Sequence, residues 1–83
     1  MALDIHFGDK LIPGLENSVG IRTKDKPTVR VRQFGGSELK SVLTRMDTEI
    51  WKVRFKLPLD AKGEVEVDAR AGSDSKTEKK AIG

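Results

Sequence analysis

The stretch Trp51-Lys52-Val53-Arg54-Phe55-Lys56-Leu57 alternates apolar and basic side chains over seven residues. Successive side chains of a β-strand point to opposite faces, so a strand here places the four apolar residues on one face and the three cations on the other. A helix would scatter the same apolar residues around its circumference. The stretch therefore predicts a strand with its apolar face in the core and its basic face in solvent.

The segment that follows repeats this alternation with acidic residues. After a turn, residues 64–68 alternate acidic and apolar side chains. Because paired strands turn their apolar residues to the same face, the two segments can be aligned as a hairpin. The predicted pairs are Phe55 with Val65, Val53 with Val67, Lys56 with Glu64, Arg54 with Glu66 and Lys52 with Asp68.

A second hairpin is predicted in the first half of the chain. Residues 19–22 and 28–32 alternate apolar and polar side chains on either side of a five-residue loop, residues 23–27. Residues 3–7 alternate in the same way and predict a further strand ahead of this hairpin. Matching the apolar faces of the hairpin gives two pairs, Ile21 with Val29 and Val19 with Val31.

The segment between the two hairpins has the spacing of an amphipathic helix. Gly35-Gly36 ends the preceding strand, and the hydroxyl of Ser37 is suited to accept a hydrogen bond from a free amide of a first helical turn. Continuation of the helix through Ile50 and Val53 is the alternative, which the alternation of residues 51–57 argues against. The apolar residues at helical spacing are Leu39, Val42, Leu43 and Met46.

Together these elements predict an α+β fold. We expect a small, mainly antiparallel sheet of about five short strands with one helix packed on one face, in the order β-β-β-α-β-β. A chain of 83 residues supports one core, which we assign to a single domain over residues 1–70. Residues 71–83 are polar and lack an apolar period, so they are predicted to form a flexible C-terminal tail.

The residue types argue against enzymatic chemistry. The chain has no cysteine and one histidine, which excludes a cysteine nucleophile, a disulfide and a thiolate metal site. That histidine, His6, has only Asp4 beside it on the same face of the predicted strand, and we interpret both as solvated side chains. We therefore predict a non-enzymatic protein with no catalytic residues, no metal and no cofactor.

The sequence indicates neither a membrane-spanning helix nor an export signal. No apolar run approaches the roughly 18 residues that a membrane-spanning helix requires. The first residues have neither the basic nor the apolar region of a secretory signal. We expect a cytoplasmic protein without a membrane partner.

Positive charge is concentrated in the middle of the chain. Residues 22–56 carry ten basic and four acidic side chains, a local charge of +6, whereas the whole chain has a net charge of +3. A basic segment of this kind fits an anionic partner. Gly35-Gly36-Ser37 would offer free amides to an anion if a helix followed, but it lacks the lysine of a phosphate-binding loop. We interpret these residues as a tight turn.

Nucleic-acid binding is the first functional interpretation. Arg30, Arg32 and Phe34 share the strand face opposite Val29 and Val31, which combines cations for phosphates with a ring for base stacking. Pairing of Lys52, Arg54 and Lys56 with acidic residues would weaken their part of this surface. The candidate residues for binding DNA or RNA are Arg22, Lys24, Lys26, Arg30, Arg32, Phe34, Lys52, Arg54 and Lys56.

The alternative is a protein–protein interaction module. A small domain with exposed strand edges can extend the sheet of a partner, as an adaptor, an inhibitor or an assembly component. Pairing with a second copy of the chain as a homodimer is one form of this alternative. The sequence names no specific partner and does not distinguish DNA from RNA.

Overall fold

The computed structural model describes residues 3–8, 10–33 and 38–82, and all regular elements in these ranges are β-strands. No helix occurs in the described ranges, and hence none that could cross a membrane. The eight strands are β1 (Asp4–Phe7), β2 (Glu16–Arg22), β3 (Thr28–Gln33), β4 (Glu38–Leu39), β5 (Ser41–Arg45), β6 (Ile50–Lys56), β7 (Glu64–Ala71) and β8 (Asp74–Ala81).

The strands form two four-stranded antiparallel sheets that pack face to face. Sheet I has the strand order β1-β2-β6-β5, and sheet II has the order β4-β3-β7-β8. The chain changes sheet in the loop between β2 and β3, again at Lys40 between β4 and β5, and a third time between β6 and β7. Apolar side chains from both sheets therefore meet in one shared core between them.

The core is built from the inward-facing residues of both sheets. The prediction for residues 51–57 is confirmed, because Trp51, Val53, Phe55 and Leu57 are all buried. Burial of each large apolar side chain contributes about 1.5–3 kcal/mol, so these residues carry a large share of the stability. Their main buried partners are Val19 and Ile21 from β2, Val31 from β3, and Val65 and Val67 from β7.

The predicted α+β fold is wrong, because the segment assigned to a helix forms β4 and β5. The helix was predicted because the apolar residues of this segment have helical spacing: Leu39, Val42, Leu43 and Met46. In the structure Leu39 and Leu43 pack against the core, whereas Val42 and Met46 are exposed. The cap and turn predicted at residues 35–37 lie outside the described residues.

Both predicted hairpins are also wrong, because each would join strands that belong to different sheets. Ile21 lies opposite Ile5 and Trp51 within sheet I, and Val31 lies opposite Val67 within sheet II. The alternation correctly separates inward from outward side chains. It does not identify the partner strand, because every apolar strand face offers an equivalent match.

Strand β8 (Asp74–Ala81) lies within residues 71–83, where the sequence predicts a flexible tail. It pairs with β7 along its whole length, and the charged residues Lys76, Glu78 and Lys80 lie opposite the buried Ala69, Val67 and Val65. Inward-facing charges on an edge strand disfavour pairing with other chains. Because these residues lack an apolar period, the usual sequence signal for a strand is missing.

Candidate functional site

The structure does not bring the predicted nucleic-acid-binding residues together. The loop between β2 and β3 carries Lys24 and Lys26, and Phe34 lies outside the described residues. The other cations occupy the outer faces of the two sheets, on opposite sides of the sandwich: Arg22, Lys52, Arg54 and Lys56 on sheet I, and Arg30 and Arg32 on sheet II.

The cations on the outer face of sheet II are matched by acidic side chains. A single Nη2 atom of Arg32 lies 3.6 Å from Glu66 and 3.9 Å from Asp68. The Nε atom of Arg30 lies 4.0 Å from Glu38, and that of Arg70 lies 3.9 Å from Asp68. These partly exposed pairs contribute little to stability, but each of the three arginines has an acidic side chain beside it.

The outer face of sheet I is different. Within residues 3–8, 10–33 and 38–82, no ion pair within 4.0 Å involves Arg22, Lys52, Arg54 or Lys56. Lys52 lies between Gly20 and Thr44 on the neighbouring strands, and Arg54 lies between Ser18 and Val42. The predicted pairing of these cations with β7 is wrong, since β7 belongs to the other sheet.

The sandwich is closed along the side where β1 and β8 meet. Leu11, in the segment after β1, forms an isolated parallel bridge with Ile82, the residue after β8. Across the same side, the Nζ atom of Lys76 lies 3.6 Å from the Oδ1 atom of Asp4. These contacts, together with the inward-facing charges of β8, leave this side poorly suited to accept another strand.

The opposite side of the sandwich has an open edge at β5. This strand pairs with β6 on one side, and no strand of the described segments pairs with it on the other. The amide of Met46 donates to the carbonyl of Ile50 at 2.8 Å. Hydrogen-bonded and non-hydrogen-bonded residue pairs alternate along an antiparallel ladder, so the amides and carbonyls of Val42 and Thr44 also face β6. The amides and carbonyls of Ser41, Leu43 and Arg45 therefore face outward, away from β6.

Exposed apolar side chains flank this open edge. Val42 is 55% exposed, Met46 58% and Ile50 47%, and all three share the outer face of sheet I with Lys52 and Arg54. Sequence reasoning missed this surface because helical spacing placed Val42 and Met46 on a buried stripe. The sequence carries no clear signal for it, because residues 42–46 do not alternate apolar and polar side chains.

A second exposed apolar cluster lies at one end of the sandwich. It consists of Ile12, Leu15 and Leu59, which lie on the β1–β2 and β6–β7 connections. These connections are joined by backbone hydrogen bonds, including one from the amide of Gly14 to the carbonyl of Leu57 at 2.9 Å.

The residues that the structure describes contain no group of three or more His, Cys, Asp or Glu side chains that could hold a metal ion.

Comparison with known proteins identifies the fold. No protein-family model and no curated protein sequence matches the chain. Among solved structures, the chain is similar to the crystal structure of the Lin-41 filamin domain, with a TM-score of 0.77 and 15% sequence identity. The match covers 98% of this chain and 91% of that one. The architecture is therefore an immunoglobulin-like β-sandwich, similar in fold to that filamin domain.

Proposed function

We propose that this protein is a non-enzymatic interaction module that binds an extended segment of a protein partner at the open edge of β5. The observation that carries this proposal is the row of outward-facing backbone groups on Ser41, Leu43 and Arg45. An added strand would satisfy these groups with main-chain hydrogen bonds. Exposed Val42 and Met46 beside them would supply apolar contact for its side chains.

The fold and the charge distribution support a protein partner rather than a nucleic acid. The filamin-type sandwich is a protein-interaction fold and fits a protein partner at a coarse level. The candidate cations lie on two opposite faces, and Arg30 and Arg32 are paired with acidic residues. No observation supports the DNA- or RNA-binding interpretation.

The proposal is tested by selecting binders from a library of random linear peptides displayed on phage, with the whole chain as bait. We expect bound peptides to lose affinity for the Ser41→Pro variant. Proline removes the outward amide of Ser41 and crowds the edge, but it leaves the hydrogen bonds to β6 in place. Ser41→Ala is the matched control, because it keeps the amide and should bind as the unmodified chain does.

Thermal unfolding of both variants shows whether they fold. Nuclear magnetic resonance of the unmodified chain then maps the bound peptide without relying on a substitution. Selected peptides that bind Ser41→Pro and Ser41→Ala equally, and that shift amides away from β5, would refute the β5 edge as the binding site.

A further inference from the structure

The two outer faces of the sandwich differ in how their cations are satisfied. On sheet II, three arginines lie within 4.0 Å of acidic side chains. On sheet I, Lys52 and Arg54 have only Gly20, Thr44, Ser18 and Val42 as cross-strand neighbours. The acidic residues nearest in register lie at the periphery of this face: Glu16 is opposite Lys56, and Asp4 is engaged by Lys76.

These unpaired cations lie next to the open edge. Arg54 is opposite Val42 and Lys52 is opposite Thr44, so each is one strand removed from the edge. A strand added to β5 would lie about 4.8 Å from β5 and about 10 Å from β6. The long side chains of Lys52 and Arg54 can span this distance towards a carboxylate on the added strand by passing over the small or short side chains of β5.

We propose that the partner segment places an aspartate or glutamate on the outer face of the added strand, with aliphatic residues two positions before and after it on the same face. This inference rests on the proposed function and specifies its ligand. An acidic side chain on the outer face of the added strand would meet Lys52 and Arg54. Apolar side chains on that face would cover Val42 and Met46, which are otherwise half exposed to water.

A polypeptide satisfies this surface better than a nucleic acid does. The backbone groups of Ser41, Leu43 and Arg45 form a ladder that only another strand can pair along its length. The exposed apolar side chains beside the cations are aliphatic. They provide no ring on which a base could stack, whereas they suit aliphatic residues of a peptide.

Charge reversal at the two central cations tests the inference. The peptides selected on the unmodified chain are sequenced and then measured by fluorescence anisotropy against Lys52→Glu/Arg54→Glu. We expect enrichment of an acidic residue with aliphatic residues two positions before and after it, and about tenfold weaker binding to this variant. The matched control is Lys24→Glu/Lys26→Glu, which makes the same charge change in the loop between β2 and β3 and should leave binding unchanged.

The outcomes separate this inference from the function on which it rests. Selected peptides that are neutral or basic, yet sensitive to Ser41→Pro, would leave the β5 site intact and overturn the acidic ligand. Equal weakening by both charge-reversal variants would also overturn it, because only the overall charge would then matter. Peptides insensitive to Ser41→Pro would refute both proposals. Displacement of the peptides by a single-stranded oligonucleotide, with tighter binding of that oligonucleotide, would favour a nucleic acid and contradict the inference.

Discussion

The indole Nε1 of Trp51 donates a hydrogen bond to the backbone carbonyl of Thr23 at 3.1 Å, and both residues are buried. The bond joins β6 to the start of the loop in which the chain leaves sheet I for sheet II. The amide of Thr23 also donates to the carbonyl of Glu49 at 2.9 Å. Trp51 thus fixes the direction of the first sheet-to-sheet crossing as well as filling the core.

Replacement of Trp51 by phenylalanine should reduce the free energy of unfolding by about 2–4 kcal/mol. The change leaves the buried carbonyl of Thr23 without its donor and opens a small cavity. Urea denaturation measures the loss. Arg45→Gln is the comparison, because it removes the guanidinium that lies 5.6 Å from the Trp51 ring centroid but keeps the indole hydrogen bond. It should cost only about 1 kcal/mol, and an equal cost for both variants would contradict the role of the hydrogen bond.

The side chain of Asn17 organises the loop that carries part of the second apolar cluster. Its Oδ1 accepts from the amide of Ile12 at 3.0 Å, and its Nδ2 donates to the carbonyls of Ile12 and Leu15. We expect Asn17→Ala to cost about 2–3 kcal/mol, since three partly buried hydrogen bonds are lost. Denaturant unfolding tests this, and a loss below about 0.5 kcal/mol would show that water replaces the carboxamide without cost.

Gly14 should not tolerate alanine, because its φ of +82° is strained for other residues. An added Cβ would also lie 2.8 Å from the Cδ1 atom of Leu59, but that side chain is 84% exposed and can rotate away. We expect Gly14→Ala to cost about 1–2 kcal/mol in thermal unfolding. Gly8→Ala is the control, since Gly8 has open space and no positive φ.

A double variant, Gly14→Ala/Leu59→Ala, separates backbone strain from steric overlap. It should remain as unstable as Gly14→Ala alone, because removal of the Leu59 side chain leaves the φ of residue 14 unchanged. Recovery of the stability in the double variant would show instead that the contact with Leu59 causes the loss.

Alternation in the sequence was enough to identify the inward faces of several strands. Residues 51–57 show this most clearly, since all four apolar side chains of that stretch are buried. The strand pairing was not predictable in the same way, because β6 pairs with β2, and the paired residues range from Arg22 with Ile50 to Glu16 with Lys56, far apart in the chain. A hairpin is the simplest hypothesis for adjacent alternating segments, but this sandwich places β2 and β3, and likewise β6 and β7, in different sheets.

The candidate site depends on the two elements that were hardest to predict. Leu39, Val42, Leu43 and Met46 fit the helical period as well as a strand whose Val42 and Met46 are exposed. Strand β8 has charged residues where a strand normally has apolar ones, so composition indicated a tail. The mistaken pairing of β6 with β7 also assigned the acidic residues of β7 to the wrong cations. In the structure these acidic residues lie beside Arg32 rather than beside Lys52 or Arg54.

The open edge of β5 is tested most directly by residue-resolved amide hydrogen exchange of this strand in the free chain and in the peptide complex. In the free chain, the amides of Ser41, Leu43 and Arg45 should exchange rapidly, whereas those of Val42 and Thr44 should be protected by β6. Binding of a selected peptide should protect the three outward amides. Protection of all five amides in the free chain, or no added protection in the complex, would contradict strand addition at β5.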